Sequence, residues 1–336
     1  MTANDTANTV PVTILTGFLG SGKTTVLNRL LKLPSLADTA VIVNEFGAVG
    51  LDHLLIEQAI EDAVLLKNGC ICCTVRGDIA DTLDLLWERR EQGLLPLFRR
   101  IAIETTGLAD PAPVAHALLA APEARYACRL DGIVTTVDAM HGPMQLERQP
   151  EARRQVAMAD RVLLTKTDLV GDAEVARVTA MIRALNAGAP VRHVLNGEVA
   201  AEDVFGLSPG DGNDARVAEW LRAFDDDPHR GHQHLPFRHG DEIGSVTLRS
   251  DTPVEWARLR AWLESVLSLR GDGVLRLKGL VRVVGQDRPI VLQGVHHVLH
   301  PPVFYERPLD GGTRIVLITR GLSAVGLRAS FAAAMK

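Results

Sequence analysis

The sequence predicts an α/β fold with a mainly parallel sheet flanked by helices, followed by a smaller C-terminal α+β domain. Between residue 10 and about residue 222, short β-branched runs alternate with longer amphipathic stretches, which is typical of parallel strands joined by helices. The alternation then ends in a segment rich in acidic residues, His, Pro and Gly, and a different order of elements follows. A chain of 336 residues is long enough for two domains.

The first part of the chain contains short runs rich in Val, Ile, Leu and Thr that predict strands. These runs are residues 10–15, 40–44, 63–66, 100–104, 132–138, 161–165 and 191–195. Between them, apolar residues that recur every three or four positions predict helices. Such helices include residues 24–33, 78–92 and 173–186.

The second part begins with a predicted strand near residues 243–249 and a helix near 254–269, and continues with strands between 274 and 299 and at 314–319 and a final helix. We therefore expect an α/β domain over 1–224, a linker over 225–241 and an α+β domain over 242–336. The linker contains His229, His232, His234 and His239, which are either auxiliary metal ligands or solvated residues without a role. A packing or surface role is expected for His296, His297 and His300, which belong to a predicted strand.

Charge and the distribution of apolar residues argue against nucleic acid and membranes as partners. A formal net charge of -5 argues against nucleic acid as a partner, because there is no excess of basic residues to neutralise phosphates. The N-terminal residues lack the features of a secretory signal, and no apolar run reaches the length of a membrane span. We therefore expect a cytoplasmic protein that does not bind membranes, and the sequence leaves its oligomeric state open.

A nucleotide-binding motif lies between the first predicted strand and the first predicted helix. Residues 17–24 fit the pattern G-x-x-x-x-G-K-[ST], in which glycines let backbone N–H groups converge on phosphates at a helix N-terminus. Lys23 is expected to neutralise the β- and γ-phosphates, and the Thr24 hydroxyl to ligate Mg²⁺. The predicted phosphate-binding residues are Gly17, Gly20, Ser21, Gly22, Lys23, Thr24 and Thr25.

The strand at residues 100–104 ends in Glu104, and Gly107 follows three positions later. In proteins with this phosphate loop, a carboxylate at such a strand end reaches the Mg²⁺ shell or the attacking water, and the Gly amide can contact the γ-phosphate. We therefore predict catalytic roles for Glu104 and Lys23. The alternative is that Glu104 only caps the following helix.

The strand at residues 161–165 continues into Lys166, Thr167 and Asp168, which resemble the guanine-specifying Asn-Lys-x-Asp motif. Asp168 is expected to accept hydrogen bonds from guanine N1 and N2, and Lys166 to pack over the base. Thr165 replaces the usual Asn, so one side-chain amide is lost. The predicted substrate is GTP with Mg²⁺.

Cys70, Cys72 and Cys73 are three of the four cysteines of the chain. Three thiolates provide an incomplete tetrahedral metal site, whose fourth position Glu45, a histidine, water or a client protein would fill. Zn²⁺ is the leading metal, and Co²⁺ and Cu(I) stay open. The alternatives are a buried apolar turn or a redox-active pair. The remaining cysteine, Cys128, is expected to be a small buried apolar residue.

Five motifs in this order resemble those of CobW-type GTPases, in the broad CobW/HypB/UreG class. They occupy residues 17–25, 44–47, 69–73, 104–107 and 165–168, and residues 275–279 and 291–297 are similar to the family's C-terminal domain. The resemblance implies a metallochaperone GTPase that couples GTP binding and hydrolysis to the transfer of zinc, or cobalt, to an unidentified client metalloprotein. By position, the three clustered cysteines are the family's metal motif, and Glu45 lies in a switch-like segment. Relatives often have an acidic residue where this chain has Ala48, which removes one candidate ligand.

Two other functions stay open at this point. An ATP-dependent kinase or ligase could use the same phosphate loop with structural cysteines. A metal buffer or sensor could bind GTP without hydrolysing it.

Overall fold

The computed structural model describes residues 9–44, 64–65, 71–75, 79–120, 128–208, 217, 219, 243–306 and 311–336. Two sheets, one of eight and one of six strands, organise these residues. The predicted linker at 225–241, with its four histidines, lies outside the described ranges, and so do Cys70 and Glu45. No helix within the described ranges is long and apolar enough to cross a membrane.

The first sheet is parallel except for one short strand at its edge. Its strands are β1 (Val10–Gly17), β2 (Thr39–Asn44), β3 (Val64–Leu65), β4 (Ile71–Val75), β5 (Arg100–Thr105), β6 (Cys128–Asp138), β7 (Arg161–Thr165) and β8 (Val191–Val194). Their spatial order is β3-β4-β2-β5-β1-β6-β7-β8, and only β3 runs antiparallel to its neighbour. The predicted α/β class with a mainly parallel sheet is confirmed.

The register of the parallel strands brings their C-terminal ends to one edge of the sheet. Leu15 of β1 is aligned with Glu104 of β5, and Gly17 is aligned with Thr136 of β6. Asp138 of β6 is in turn aligned with Thr165 of β7. The strand interiors are almost entirely buried, which explains their continuous apolar character.

Helices cover both faces of this sheet. They are α1 (Lys23–Leu30), α2 (Ile79–Glu91), α3 (Ala112–Ala120), α4 (Gly142–Arg148), α5 (Pro150–Met158) and α6 (Asp172–Leu185). In α6, the buried residues are Val178, Met181, Ile182 and Leu185, whose spacing of three and four positions forms one apolar face. Helices α1, α2 and α6 overlap the three helices named from the periodicity.

Strand β4 was not among the predicted strands, although it contains Cys72 and Cys73. It pairs on one side with β2 and on the other with β3. Strand preference depends strongly on the neighbours that a segment finds in the sheet, and the cysteine-rich sequence alone did not reveal these neighbours.

The second sheet is antiparallel. Its strands are β9 (Ile243–Ser250), β10 (Val274–Val281), β11 (Ile290–Val295), β12 (Val298–Leu299), β13 (Val303–Phe304) and β14 (Thr313–Arg320), in the order β12-β11-β10-β14-β9 with β13 beside β11. Helices α7 (Trp256–Arg270) and α8 (Ala324–Ala334) accompany this sheet. Leu259, Trp262 and Phe331 of the helices share a core with Leu277 and Leu317 of the strands. The predicted smaller α+β unit is confirmed.

The second sheet packs against helices of the first unit. Ala157 and Met158 of α5 belong to the same buried apolar cluster as Leu275, Val295 and Ile318 of the second sheet. Helix α3 contacts β11 and β12, and α6 contacts β9. The first unit and the C-terminal sheet therefore share a buried interface.

Candidate functional site

The loop between β1 and α1 has a backbone that glycine alone adopts readily. Gly17, Gly20 and Gly22 have φ angles of 142°, 73° and 96°. A Cβ atom at Gly17 would lie 2.3 Å from Thr136 Oγ1, so a larger residue does not fit there. Helix α1 begins at Lys23, and no described side chain caps its N-terminus. These features form a cradle in which backbone N–H groups can meet an anion.

The Lys23 side chain lies folded onto this loop. Its Nζ donates hydrogen bonds to the carbonyl oxygens of Gly17, at 2.8 Å, and Phe18, at 3.3 Å. Burial lowers the pKa of Lys23, and the nearby Glu104 carboxylate only partly offsets this effect. A buried ammonium group held mainly by neutral carbonyls would gain from a phosphate partner, which fits its predicted role.

Thr24 and Glu104 meet across the site. Thr24 Oγ1 donates a hydrogen bond of 2.6 Å to Glu104 Oε1, and Glu104 is 6% exposed. The alternative for Glu104 is that it caps the following helix, but Asp110 takes that position. The backbone N–H of Ala112, at the start of α3, donates a hydrogen bond of 2.9 Å to Asp110 Oδ1. A hydroxyl and a carboxylate are oxygen donors of the type that Mg²⁺ prefers, so this pair fits the ion that the motif implies.

Gly107 lies directly against the phosphate loop. A Cβ atom at Gly107 would lie 2.7 Å from the backbone nitrogen of Leu19 and 2.8 Å from its Cα. This close approach explains the glycine on steric grounds. The segment after Glu104 is therefore in contact with the loop that would hold the phosphates.

Lys166 bridges the phosphate loop and the end of β6. Its Nζ donates to Gly20 O at 2.8 Å and to Asp138 Oδ2 at 2.6 Å, and its φ angle is 57°. Sequence reasoning missed Asp138, although a carboxylate at the end of a parallel strand was the signal that identified Glu104. Asp138 also accepts hydrogen bonds from His141 Nδ1 at 3.0 Å and from the backbone N–H groups of Met140 and His141. Burial opposes ionisation of Asp138, but these hydrogen bonds outweigh it and lower its pKa.

Thr165 at the end of β7 also contacts the phosphate loop. Its hydroxyl donates to Ser21 O at 2.7 Å, and Ser21 Oγ lies 2.6 Å from Thr136 Oγ1. The replacement of Asn by Thr therefore keeps a polar contact between β7 and the loop.

The remaining predicted nucleotide residues lie at the rim. Asp168 is exposed in a turn over Thr167–Leu169, next to Lys166. Thr25 is exposed on α1, and a Cβ atom at Gly197 would lie 2.9 Å from its Cγ2.

The predicted transition-metal residues are only partly described. The backbone of Cys72 and Cys73 lies in β4, paired with Val41 and Ile42 of β2. Among the described residues, no group of three or more His, Cys, Asp or Glu side chains forms a metal-binding cluster. Cys128, expected to be a small buried apolar residue, is only partly buried, and burial raises the pKa of its thiol to about 12.

Two family models match the chain. The model of the CobW/HypB/UreG nucleotide-binding domain matches residues 11–193, and the model of the cobalamin synthesis protein cobW C-terminal domain matches residues 243–335. The chain belongs to the CobW family. Its first unit is thus the family's nucleotide-binding domain and its second sheet the family's C-terminal domain.

Two relatives that are similar over nearly the whole chain are named zinc chaperones. The zinc chaperone YjiA of Escherichia coli is 32% identical over 332 residues, which cover 98% of this chain and 100% of the relative. The zinc chaperone CobW of Sinorhizobium sp is 30% identical over 94% of both chains. The crystal structure of the Zn(II)-bound YjiA GTPase superimposes with a TM-score of 0.76 at 31% identity, covering 98% of this chain and 100% of that one. The chain is therefore similar to a P-loop GTPase in both sequence and structure.

Proposed function

We propose that this CobW-family protein binds and hydrolyses GTP and uses the nucleotide cycle to bind and release zinc for a client metalloprotein. The observation that carries the proposal is the 2.6 Å hydrogen bond between Thr24 and Glu104, which joins the phosphate loop to β5. In the sheet, β5 is adjacent to β2, and β2 is adjacent to β4, the strand of Cys72 and Cys73. The nucleotide side and the cysteine motif thus belong to neighbouring strands of one parallel sheet.

The register supports a short path between them. Val43 of β2 is aligned with Glu104 on one side and with Thr74 on the other. Neighbouring strands lie about 4.8 Å apart, so the backbone of Thr74 is about 10 Å from that of Glu104. Cys73 directly precedes Thr74. If the ends of β5 and β2 move when the bound nucleotide changes, the position of the cysteine motif would therefore change as well.

The nucleotide would bind through the residues of the phosphate loop. The loop N–H groups and Lys23 would hold the phosphates, and Thr24 and Glu104 would hold Mg²⁺, which supplies positive charge to the β- and γ-phosphates. The Gly107 backbone is next to the loop, so its N–H is a candidate γ-phosphate contact. Catalysis would rest on positioning and electrostatic stabilisation by these groups.

Selection of guanine would rest on the end of β7. Lys166 is held between Gly20 O and Asp138, so its alkyl chain is fixed at the rim of the site. Asp168, two residues later and exposed, is available to accept hydrogen bonds from guanine N1 and N2. Adenine does not offer this pair of donors.

Zinc would be the cargo of Cys70, Cys72 and Cys73. Thiolates are strong zinc ligands, and three of them leave one position for Glu45, water or a client side chain. The relatives named as zinc chaperones support zinc over cobalt. A site with an exchangeable fourth ligand suits transfer better than permanent storage.

The test combines phosphate release with zinc binding on the same preparations. Wild type should release phosphate from GTP at least about 10-fold faster than from ATP, and Cys72→Ser should weaken zinc binding by at least about 10-fold in competition with a chelating dye. Cys128→Ser is the matched control, since this thiol lies in β6, the fourth strand from β4 in the sheet. Equal use of ATP would favour an ATP-dependent enzyme, and zinc binding without phosphate release would favour a buffer or sensor.

A further inference from the structure

We propose that Gln155 is a positioning residue that ties the loop after Glu104 to the C-terminal sheet through helix α5. The inference rests on the proposed GTPase function, because it concerns the loop beside the phosphate cradle. Gln155 is 0% exposed, and its Nε2 donates to Gly107 O at 3.2 Å and to Ala109 O at 2.9 Å. Both donors of one buried amide are thus used on this loop.

The oxygen atom of the Gln155 amide differs from its nitrogen in lacking a partner within the described part of the chain. Gln155 Oε1 is buried and has no hydrogen-bond partner among the described residues. An unpaired buried acceptor costs free energy. This cost is offset by the two donors of the same amide, which satisfy the carbonyls of Gly107 and Ala109 in the loop.

The loop that Gln155 holds is fixed at both of its ends. Gly107 lies against the backbone of Leu19 in the phosphate loop. Asp110 caps the start of α3 through its Oδ1. Its Oδ2 lies 4.0 Å from Nη1 of Arg154, the neighbour of Gln155 on α5. A displacement of Gly107 by the γ-phosphate would therefore either break the Gln155 hydrogen bonds or move α5 with the loop.

Helix α5 is fixed to the C-terminal sheet just beyond Gln155. Met158 shares a buried core with Leu275 and Ile318 of that sheet. Asp160, two residues after the helix, accepts hydrogen bonds from Arg276 Nη2 at 2.5 Å and pairs with Lys278 Nζ at 2.9 Å.

All three charged groups of this cluster are buried. Burial opposes ionisation of Asp160, but Arg276 and Lys278 outweigh it and hold its pKa well below the ordinary value. Removing one member of such a cluster leaves a buried charge with fewer partners. The end of α5 and β10 should therefore move as one body.

Together these contacts form a continuous path from the phosphate loop to the C-terminal sheet. GTP differs from GDP by the γ-phosphate, for which the Gly107 N–H is the candidate contact, so the path should respond to GTP and not to GDP. By linkage, any partner that shifts the C-terminal sheet would change GTP affinity, and GTP would change the affinity for that partner by the same factor.

The experiment measures the affinities of the full chain for a fluorescent non-hydrolysable GTP analogue and for fluorescent GDP. Gln155→Met keeps the side-chain size and removes both donors, so we expect about 10-fold weaker binding of the GTP analogue and GDP binding within about 2-fold of wild type. Gln92→Met is the control, since it makes the same substitution at the end of another helix. Gln92 directly follows α2, and its Nε2 donates to Glu88 Oε1 of that helix in an exposed contact, away from α5 and the loop. It should leave the ratio of the two affinities unchanged.

A second arm tests the link to the C-terminal sheet. Arg276→Met should weaken binding of the GTP analogue by at least about 3-fold, and the double variant with Gln155→Met should show no further loss. Equal losses for both nucleotides, an unchanged ratio in Gln155→Met, or additive effects in the double variant would overturn the inference. Failure of wild type to bind either nucleotide would overturn the proposed GTPase function itself, and the inference with it.

Hydrogen exchange on the wild-type chain supplies a test that needs no variant to fold. Replacing GDP by the GTP analogue should slow amide exchange in residues 107–110 and in α5 together. Slowing in the loop alone would contradict the path through Gln155.

Discussion

Replacing Asp138 by Asn should separate nucleotide affinity from fold stability. Asp138 lies at the end of β6, where it accepts hydrogen bonds from Lys166 Nζ, His141 Nδ1 and two backbone N–H groups. Asn keeps the shape of the side chain but removes the negative charge. Lys166 should then lose its fixed position beside the phosphate loop, and the base would no longer meet a preorganised surface.

The size of the effect follows from the exposure of the pair. The Lys166 ammonium lies 2.6 Å from Asp138 Oδ2, and the side chains are 36% and 2% exposed. A charge-assisted hydrogen bond is strong when buried, but solvent screening on the Lys166 side reduces it to about 1–2 kcal/mol. Since 1.4 kcal/mol is a factor of ten, GDP and GTP affinities should both fall about 5- to 30-fold.

Asp131→Asn is the matched control for this substitution. Asp131 is also a buried carboxylate on β6, but it accepts hydrogen bonds from Thr13 Oγ1 and from the backbone N–H groups of Gly206 and Ser208, away from Lys166. Titration of fluorescent GDP, with thermal unfolding measured on the same samples, separates binding from stability. Nucleotide affinity that falls equally in both variants, or in neither, would refute the role assigned to Asp138.

Three further predictions concern sterics, pH and the interface. Gly107→Ala forces a methyl group onto the Leu19 backbone, so GTP turnover should fall at least about 10-fold, whereas Gly244→Ala, with open space at its Cβ, should leave turnover unchanged. Burial lowers the pKa of His300 to about 4, so between pH 6.5 and 4 the unfolded chain binds more protons, and the free energy of unfolding should fall by up to about 3 kcal/mol as pH decreases. Denaturant titrations should show a smaller fall in His300→Gln, and an equal fall in both proteins would contradict a neutral imidazole at this position. Arg276→Met should lower the free energy of unfolding by about 3 kcal/mol in the same assay, because Asp160 loses a buried partner; a change below about 0.5 kcal/mol would contradict the cluster's importance.

The nucleotide edge could be predicted because its residues follow strand ends in chain order. The phosphate-loop motif identifies the first strand end, and the apolar runs before Glu104 and Lys166 identify two more. In a parallel sheet these ends meet at one edge, so the contacts of Thr24 with Glu104 and of Lys166 with Gly20 follow from topology.

Asp138 and Gln155 could not be identified in the same way. Asp138 is a single carboxylate outside any motif, and its role depends on a lysine 28 positions away in the chain. Gln155 lies in a helix whose sequence shows only amphipathic spacing. Its partners are backbone carbonyls, which every residue has, so no residue type in the sequence indicates the contact. Contacts of this kind are fixed by the packing of α5 between two units.

The buried charges at the interface were missed for a related reason. Arg276 and Lys278 lie in a predicted strand, where charged residues usually indicate a solvent-facing side. Both are buried because Asp160, from the other unit, reaches them. A strand pattern read from one domain does not reveal the domain that covers it.

The proposed coupling of nucleotide state to zinc binding at the cysteine motif is tested by the zinc affinity of the full chain, measured by competition with a chelating dye in the presence of GDP and of a non-hydrolysable GTP analogue. We expect affinities that differ by at least about 5-fold between the two nucleotide states in wild type and in Cys128→Ser, and no such difference in Cys72→Ser. The same zinc affinity in both nucleotide states of the wild-type chain would show that the two sites are not coupled.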